Sequence, residues 1–379
     1  MLLLIYIATF LFTLENALLL YVNSSFLAQH LQLGGVNLVY IIANALNIII
    51  LMALPSLLRR FGHRRVLTPF LVITILSLFG LTLDNALMLT LSLFVIQESI
   101  FIVVRTIFDL YVEEYSSNAT TGKTRGLFLT IINAAVLFAP LIVGTLVTDG
   151  NYESVYLAAG GITLLVLIFS LIFLQRIPDI SYQRMPLFSS IKLLINNPDM
   201  RNVYMTNLLL QFYFAWMTIY VPIYLHLSIG FAWKEIGVIF FVMLLPYILL
   251  QIPLGYLADK RTGEKEFLVL GFVIMIISTA VLSFIHTQNM LLWATILFIT
   301  RLGTATVEVM SETYFFKKIV ATDTGELSLF RDTKPLAYII APLLGVIILP
   351  LISSSYLFLT LSILILPGLY FSSRLRDTR

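Results

Sequence analysis

The stretch Glu98-Ser-Ile-Phe-Ile-Val-Val-Arg105-Thr-Ile-Phe-Asp109 sets three charged residues into an otherwise apolar segment. In a helix, positions i, i+7 and i+11 fall within roughly 20° of one line, so these three charges share a face. The same spacing recurs at Arg301, Glu308 and Glu312, with the sign of the charge inverted at the first two positions. This recurrence predicts a chain built from two related halves.

The composition predicts an integral membrane protein. Of the 379 residues, 59% are hydrophobic and only 11% are charged, which is too little charge to cover a water-facing surface. A segment of about 20 apolar residues suffices to cross a bilayer, and twelve such segments use nearly the whole chain. The first of them lacks the basic start and the cleavage site of a signal peptide, so we interpret it as a membrane span.

The residue inventory argues against several chemistries. The chain has no cysteine, which excludes disulfides, thiolate metal sites, iron–sulfur clusters and a cysteine nucleophile. The four histidines fall in or beside predicted loops, and the sequence has no His-Glu-x-x-His motif and no phosphate-binding Gly-rich loop with lysine. We therefore expect no metal, no cofactor, no nucleic-acid partner and no enzymatic activity.

The predicted fold is an all-α integral membrane protein with twelve transmembrane helices in two pseudo-symmetric six-helix bundles. The predicted spans lie at about 1–22, 35–58, 65–83, 87–112, 126–147, 154–175, 201–223, 234–257, 266–285, 290–314, 335–350 and 355–371. We expect an N-terminal bundle over 1–176, a cytoplasmic linker over 177–200 and a C-terminal bundle over 201–379. Within the linker, Leu187 to Asn196 is predicted to form a short amphipathic helix on the membrane surface.

The distribution of lysine and arginine supports this count of spans. With twelve spans, twenty of the 23 basic residues fall in loops on the side of both termini. The opposite side has only Lys234, while Arg105 and Arg301 lie within the membrane. Since basic residues collect on the cytoplasmic side, we expect both termini in the cytoplasm and the protein in a cell membrane, the inner or plasma membrane.

Two further sequence motifs are repeated between the two halves. Ala139-Pro140-Leu-Ile-Val-Gly144 is matched by Ala341-Pro342-Leu-Leu-Gly345, and Pro55-Ser-Leu-Leu-Arg59-Arg60-Phe-Gly62-His-Arg64-Arg65 is matched by Gly255-Tyr-Leu-Ala-Asp259-Lys260-Arg-Thr-Gly263-Glu-Lys265. The last pair resembles the Gly-x-x-x-Asp-Arg/Lys-x-Gly-Arg/Lys-Arg/Lys signature of the major facilitator superfamily. The second copy departs from the signature by one extra residue before Gly263, and the first has Pro55 and Arg59 where the family has glycine and acid.

The resemblance implies a secondary transporter fold in which Arg59, Gly62, Gly255 and Asp259 belong to a cytoplasmic gate motif. An acid at such a helix end sits favourably against the positive end of another helix dipole. We expect Asp259 to face the start of the fifth span, near Lys123 and Arg125. Because Arg59 replaces the acid in the first copy, our hypothesis is that it meets Glu326 or Asp332 instead. The alternative is that the basic residues of this loop only set the orientation of the chain in the membrane.

Five ionisable residues fall near the middle of predicted spans, where a charge costs roughly 2.5–3.5 kcal/mol on insertion scales. They are Glu15, Glu98, Arg105, Arg301 and Glu308. The resemblance implies that spans 1, 4, 7 and 10 line a central cavity, so we predict that Glu98 pairs with Arg301 and Arg105 with Glu308 in at least one conformation. The alternatives are permanent ion pairs or contacts within one helix, such as Arg105 with Asp109.

Glu15 and Asn16 interrupt the first span, which makes Glu15 the leading candidate for proton coupling, with Glu98 and Glu308 as further candidates. Asp109 and Glu312 lie nearer the cytoplasmic boundary, where a gate and a solvated helix end are equal alternatives. In the seventh span Asn207, Gln211 and Thr218 share a face and predict part of a substrate cavity. An aromatic belt at the membrane interface around this span is the alternative. For Asn44, Asn47 and Asn133, interhelical hydrogen bonds and substrate contacts are equal alternatives.

These features predict a monomeric secondary active transporter that works by alternating access, coupled to protons, for a small-molecule substrate. An aromatic-rich interior and the Ala-Pro pairs favour efflux of amphipathic, drug-like compounds by antiport. Uptake of a small anionic or sugar-like solute by symport, with Arg105 or Arg301 as the anion ligand, is an alternative. Translocation of a lipid or lysolipid is a second alternative, since polar groups inside the bilayer also suit a headgroup path.

Overall fold

The computed structural model describes residues 2–83, 86–114, 121–148, 150–173, 196–260, 263–318 and 324–376. Side chains are described in these ranges except at 2, 55, 109–110, 112–114, 121–130, 251–252, 255–260, 316, 324–329 and 331. The chain divides into two compact units, Met1–Arg184 and Met185–Arg379, which we call unit 1 and unit 2. The predicted surface helix of the linker lies outside the described residues except for Asn196, so the linker and the predicted bundle limits stay predictions.

Unit 1 contains seven described helices: α1 (Leu2–Leu20), α2 (Asn23–His30), α3 (Leu33–Phe61), α4 (His63–Gly80), α5 (Leu87–Glu114), α6 (Thr121–Leu146) and α7 (Glu153–Phe173). Only the short turn at Tyr21 and Val22 separates α1 from α2, and the two together form one apolar span over Leu3–His30. The first span was predicted to end at about residue 22. This prediction is wrong, because the span continues for about two more helical turns, to His30. Asn23, Ser24 and Ser25 lie just beyond that predicted end, and they are buried.

Unit 2 contains seven more described helices: α8 (Pro198–Ile223), α9 (Trp233–Lys260), α10 (Glu264–Leu282), α11 (Met290–Lys318), α12 (Thr324–Ile348), α13 (Leu357–Leu364) and α14 (Pro367–Ser373). A π-helical segment over Tyr224–Ile229 extends α8. Helix α12 begins at Thr324, well before the predicted start at about residue 335. Pro335, at that predicted start, lies inside the helix.

Eleven segments of the described chain are long and apolar enough to cross a membrane by length and composition. The last of them, Ser354–Ser373, includes both α13 and α14. The remaining helix is Thr121–Leu146. Its portion with described side chains contains the shorter apolar segment Ile131–Leu146. The structure thus agrees with the prediction of an all-helical membrane protein with twelve spans in two sets of six.

The two units repeat the same internal packing. The most extensively packed helix pairs of unit 1 are α1–α5, α1–α6, α1–α7, α3–α5, α4–α5 and α4–α7. In unit 2 the matching pairs are α8–α11, α8–α12, α8–α14, α9–α11, α10–α11 and α10 with α13 and α14. Each contact of the first set thus has its counterpart six spans later, as the repeated sequence motifs predict.

Glycine permits a very close helix crossing in unit 2. A Cβ atom added to Gly303 of α11 would lie 2.7 Å from the carbonyl oxygen of Gly271 in α10, and one added to Gly271 would lie 3.0 Å from the oxygen of Gly303. Membrane helices without a strong hydrophobic drive between them gain stability from such close backbone approach. This crossing fixes α11, which carries the predicted charges Arg301 and Glu308.

Candidate functional site

In unit 1, aromatic packing sets the relative register of α1 and α5. Phe12 packs on Phe101 and on Phe108, with ring centroids 5.5 Å and 5.6 Å apart. Farther along the chain, Asn23 reaches back to Glu98, so α1 and its continuation α2 run antiparallel to α5. This register brings the carboxyl group of Glu15, one turn after Phe12, within electrostatic range of Glu98. The two acids that the sequence singled out in different spans therefore interact electrostatically inside one unit.

A chain of two hydrogen bonds ends on Glu98. The hydroxyl of Tyr156 in α7 donates to Oδ1 of Asn23 at 2.9 Å. Nδ2 of Asn23 donates in turn to Oε2 of Glu98 at 3.0 Å. Tyr156 is fully buried and Asn23 is 2% exposed, whereas Glu98 is half-buried. Three helices thus converge on one carboxylate.

The break between α1 and α2 places Asn23 in this chain. The backbone N–H of Val22 donates to the carbonyl oxygen of Leu19 at 3.0 Å, which forms a tight turn before α2 begins at Asn23. The hydroxyls of Ser24 and Ser25, the next two residues, are buried and have no hydrogen-bond partner among the described residues. Small polar groups therefore surround this end of the cluster, an arrangement that the sequence pattern did not predict.

Glu15 is the most deeply buried acid of this cluster. It is 1% exposed, and its Oε1 atom has no hydrogen-bond partner among the described residues. An ionised carboxylate buried in this way carries a large desolvation cost, whereas a protonated carboxyl group costs far less. The neighbouring Asn16 is half-buried on the same helix.

Helix α5 is pinned to α3 directly beside Glu98. Nδ2 of Asn47 donates to the backbone oxygen of Ser99 at 2.8 Å, and the Ser99 hydroxyl donates to the backbone oxygen of Ala43 at 2.9 Å. Asn44 instead bonds within its own helix, to the oxygen of Tyr40 at 2.9 Å. Of these two asparagines, Asn47 makes the interhelical bond, and it holds the backbone next to Glu98.

Arg105 lies two turns beyond Glu98 on α5 and is half-buried. Among the side chains that the structure describes in unit 1, none forms an ion pair with it. The Asp109 side chain is outside the described set, so the possible contact between these two residues stays a prediction. The predicted pairs Glu98 with Arg301 and Arg105 with Glu308 join the two units, and they too stay predictions.

Arg301 of unit 2 is enclosed by aromatic rings. It is 3% exposed, and its guanidinium carbon lies 5.8 Å from the ring centroid of Tyr213 and 5.5 Å from that of Phe214, both on α8. A guanidinium group over aromatic faces at these distances is in the range of a cation–π interaction. We call Arg301, Tyr213 and Phe214 the arginine cradle.

The cradle is held by two hydroxyl pairs. The Tyr213 hydroxyl shares a hydrogen bond of 3.1 Å with the hydroxyl of Thr279 on α10. Tyr247 of α9, whose ring packs on Phe214 at 6.2 Å, shares one of 2.7 Å with Thr304. Because Thr304 lies one turn after Arg301 on α11, three helices fix the two rings around the guanidinium group.

The predicted cavity residues of the seventh span have different surroundings. Nδ2 of Asn207 donates to Thr333 Oγ1 at 2.8 Å and to the backbone oxygen of Phe330 at 3.3 Å, so this amide joins α8 to α12. Gln211 is half-buried. Trp216 and Tyr220 are 0% and 2% exposed and pack edge to face at 4.8 Å, which does not fit a lipid-facing interfacial belt.

The predicted gate residues are only partly described. Arg59 is exposed, and its guanidinium lies 3.5 Å from the hydroxyl of Ser56. Gly62 separates α3 from α4 with φ of 77°, a conformation that favours glycine. Glu308 is half-buried and Glu312 is exposed. Asp109, Gly255 and Asp259 fall outside the described side chains, as do Lys123, Arg125 and Glu326, and the expected contact of Arg59 with Asp332 joins the two units and stays a hypothesis.

An ion pair in unit 2 was missed at the sequence level. Glu264, 1% exposed at the start of α10, accepts a hydrogen bond of 2.6 Å from Nζ of Lys317 near the end of α11. Lys318 pairs with Asp199 at 3.3 Å, and the Tyr314 hydroxyl donates to the backbone oxygen of Arg376 at 2.8 Å. The helix end that carries Glu312 is therefore tied to three neighbouring segments.

Across the described residues, no three or more histidine, aspartate or glutamate side chains come together as a possible set of metal ligands. The candidate site therefore consists of carboxyl, amide, hydroxyl and guanidinium groups that lie within apolar spans. In unit 1 it comprises Glu15, Glu98, Asn23 and Tyr156, which we call the carboxyl cluster. In unit 2 it comprises the arginine cradle.

Repeated six-helix units with ionisable residues inside their spans define a multi-pass membrane transporter. The chain belongs to the Major Facilitator Superfamily, whose family model matches residues 5–328. The match extends over unit 1 and most of unit 2 and agrees with the resemblance seen in the loop motifs. No match was found among curated protein sequences.

Solved structures share the fold over nearly the full chain. A variant of the nucleoside transporter NupG is 12% identical, with 97% of this chain and 98% of that chain covered and a TM-score of 0.79. A D-xylose–proton symporter is 15% identical, with 100% and 98% covered and a TM-score of 0.76. A POT family transporter, solved with a thioalcohol-conjugated peptide, is 13% identical, with 98% and 94% covered and a TM-score of 0.76.

Proposed function

We propose that the chain is a proton-coupled symporter that takes up a small polar solute by alternating access, with Glu15 as the proton-binding group. The observation that carries this proposal is the burial of Glu15 beside Glu98, with Oε1 of Glu15 unpaired among the described residues. A membrane-embedded acid in this setting is retained at a cost in stability, which favours a functional role.

Protons suit the carboxyl cluster better than a metal ion does. Two neighbouring carboxyl groups repel each other when both are ionised, and one bound proton removes this repulsion. A buried carboxyl group alternates readily between a protonated and an ionised form if a conformational change alters its contact with water. Glu15 and Glu98 therefore have the chemistry of a site that is loaded on one side of the membrane and emptied on the other.

The arginine cradle is the proposed contact for the solute. A guanidinium group donates several hydrogen bonds in a fixed plane, and the rings of Tyr213 and Phe214 offer flat apolar faces beside it. This combination suits a small solute that carries hydroxyl or anionic groups on a compact ring or chain. The nucleoside and D-xylose named for the structural neighbours fit that description. Gln211 and Trp216 on the same helix are further proposed cavity residues.

We propose that the inverted charges of the two halves link the proton to the solute. In one conformation Glu98 would pair with Arg301, and Arg105 with Glu308. Protonation of Glu15 changes the net charge beside Glu98, and the solute competes for Arg301, so each ligand alters the stability of the pairs. Asp109 and Glu312, with Arg59, Gly62, Gly255 and Asp259, would belong to the gate at the cytoplasmic ends.

Efflux of drug-like compounds, the interpretation favoured by the sequence, finds no support in the comparisons, whose named examples include a proton symporter for a sugar. We therefore propose uptake rather than antiport. A cell membrane, cytoplasmic termini and a monomeric state are parts of the same proposal. Lipid translocation is an outcome that the experiment below would reveal.

The test uses purified full-length protein in liposomes that contain a pH-sensitive dye. Nucleosides, pentoses, short peptides and small carboxylates are supplied outside, one at a time, and solute entry and internal pH are recorded together. We expect one class to enter with acidification of the interior, and Glu15→Gln to abolish the acidification. The exposed residue Glu153 provides a matched control, because Glu153→Gln should leave coupling unchanged.

Other outcomes would contradict the proposal. Entry of a solute with alkalinisation of the interior would indicate antiport. Entry without any pH change, or coupling that survives Glu15→Gln, would remove protons or Glu15 from the mechanism. Exposure of a labelled inner-leaflet lipid in the same liposomes would favour the lipid translocase alternative.

A further inference from the structure

The hydrogen bonds of the carboxyl cluster have a direction. A tyrosine hydroxyl that donates to Oδ1 of Asn23 leaves the amide nitrogen of that residue facing Glu98, where it donates to Oε2. A flipped amide would present its oxygen to Glu98 and lose that bond, although the Tyr156 hydroxyl could still accept from the amide nitrogen. The ionised form of Glu98 therefore favours the orientation in which Asn23 offers it a donor, and Tyr156 holds the opposite end of that amide in place.

Donors stabilise the ionised form of a carboxyl group more than the protonated form, because a charge-assisted hydrogen bond is roughly twice as strong as a neutral one. Glu98 receives such a bond from Asn23 and is half-buried. Glu15 has an Oε1 atom without a partner among the described residues and is 1% exposed. The same small volume thus contains one carboxyl group that suits a charge and one that suits a proton.

The other helices packed on α1 add few competing groups. Helix α5 contributes Glu98, with Arg105 two turns farther along, and α7 contributes Tyr156, with Tyr152 directly before its first residue. Helix α6 has no ionisable side chain between Ile131 and Leu146, its described portion. On α1 itself the nearest titratable residue in the described part is Tyr6, more than two turns away. The proton balance of Glu15 within unit 1 therefore depends chiefly on Glu98.

We propose that Tyr156 and Asn23 are positioning residues that keep Glu98 ionised, so that Glu15 is the member of the pair that takes the transported proton. This inference rests on the proposed proton coupling and adds a division of roles within it. Glu15 carries the proton in and out of the cluster. Glu98 keeps its charge through the cycle, as it must if it is to attract an arginine of unit 2.

Infrared difference spectroscopy of the full-length protein in lipid tests this assignment, because a protonated carboxyl group has a carbonyl stretch that an ionised one lacks. Spectra are recorded as the pH is varied between about 5 and 8, where neither unperturbed acids nor tyrosines titrate strongly. We expect a carboxyl band in the unaltered protein that is lost in Glu15→Gln and kept in Glu98→Gln. A band that survives Glu15→Gln and is lost in Glu98→Gln would overturn the assignment.

The positioning role is tested in the Glu15→Gln background, where Glu98 is the remaining acid of the cluster. Addition of Asn23→Leu or Tyr156→Phe should make a carboxyl band appear at Glu98, since its anion has lost its donor. Loss of a hydrogen bond to a charged group corresponds to about a tenfold increase in the proton affinity of Glu98. Absence of a new band in both double variants would overturn the positioning role.

Asn47→Leu in the same background is the matched control. It also removes a buried asparagine bond to α5, but that bond ends on a backbone oxygen rather than on a carboxylate. We expect no new band, with a loss of thermal stability similar to that of Asn23→Leu. A band in the control would mean that looser packing alone shifts the proton, which would contradict the inference.

Failure of the inference is distinguishable from failure of the proposed function. If Glu15→Gln abolishes coupled uptake and the double variants stay spectrally silent, proton coupling stands and the positioning role falls. If the unaltered protein has no titrating carboxyl band and coupling survives Glu15→Gln, both fall.

Discussion

Nζ of Lys317 lies 2.6 Å from Oε1 of Glu264, a carboxylate that is 1% exposed at the first turn of α10. The lysine is 33% exposed and comes from the last turn of α11. An acid at a helix start is favoured by the helix dipole, but its burial makes a positive partner necessary. The pair therefore joins two helices at the end that also carries Glu312.

Removal of the lysine should leave the buried carboxylate of Glu264 without its positive partner. We expect Lys317→Met to destabilise unit 2 by about 1–3 kcal/mol, less than a fully buried pair because the lysine reaches water. The measurement is thermal unfolding in detergent, in which the amount of monodisperse protein that remains is recorded as the temperature rises. Adding Glu264→Gln should restore part of the stability, since the orphaned charge is then removed.

Lys318→Met is the matched control, one residue farther along. Its partner Asp199 is 16% exposed and lies 3.3 Å away, so the expected cost is below about 1 kcal/mol. Equal effects of the two substitutions would contradict the importance of burial at Glu264.

Gly303→Ala should separate α10 from α11. The added Cβ would lie 2.7 Å from the carbonyl oxygen of Gly271, and neither backbone can yield without moving its helix. Overpacking of this kind costs typically about 1–3 kcal/mol. The unfolding temperature and the rate of solute uptake should both decrease. Uptake is affected because Arg301 is only two residues away from Gly303. Gly161→Ala is the control, because nothing lies within 4 Å of its added Cβ, and alanine favours the helix.

The number and type of the spans could be predicted because apolar segments of membrane length are a local property of the sequence. The ends were harder. The first span was predicted to end at about residue 22, just before Asn23, Ser24 and Ser25, and a polar run at the end of a span looks the same whether it meets water or another helix. The eleventh span was predicted to start at about residue 335, whereas Pro335 lies inside a longer helix, since a proline within a membrane helix is tolerated when neighbouring groups satisfy the freed carbonyl.

The candidate site was predictable only as separate charges. Helical spacing placed Glu98 and Arg105 on one face of their span and Arg301 at the matching position of the other half, and an acid in mid-span identified Glu15. The electrostatic interaction of Glu15 with Glu98 depends on how α1 packs against α5, which no local pattern encodes. Asn23 and Tyr156 were missed for that reason, as was the role of Tyr213 and Phe214 around Arg301. The one available signal was Asn23, a polar residue about two turns after the intramembrane acid Glu15.

Arg301→Lys should separate the shape of the arginine from its charge. Lysine keeps the positive charge but loses the planar group that lies over Tyr213 and Phe214. We expect solute uptake to fall at least about tenfold, equivalent to roughly 1.4 kcal/mol, with little change in thermal stability. Arg60→Lys is the control, because Arg60 lies over Phe61 at 5.2 Å but both side chains are exposed. If neither substitution lowered solute uptake, the positive charge alone would be sufficient at Arg301.

The proposed charge pairs between the two units can be tested directly, because the chain contains no cysteine of its own. Double variants with one cysteine in each unit are treated in membranes with a short bifunctional thiol reagent, and cross-linked protein is quantified after proteolysis between the units. We expect cross-links for Glu98→Cys with Arg301→Cys and for Arg105→Cys with Glu308→Cys. The exchanged combinations, Glu98→Cys with Glu308→Cys and Arg105→Cys with Arg301→Cys, serve as controls at the same helix faces and should react less, since each joins positions about 10 Å out of register along the helix. Equal reaction in all four combinations, or in none, would contradict the pairing and with it the proposed link between proton and solute.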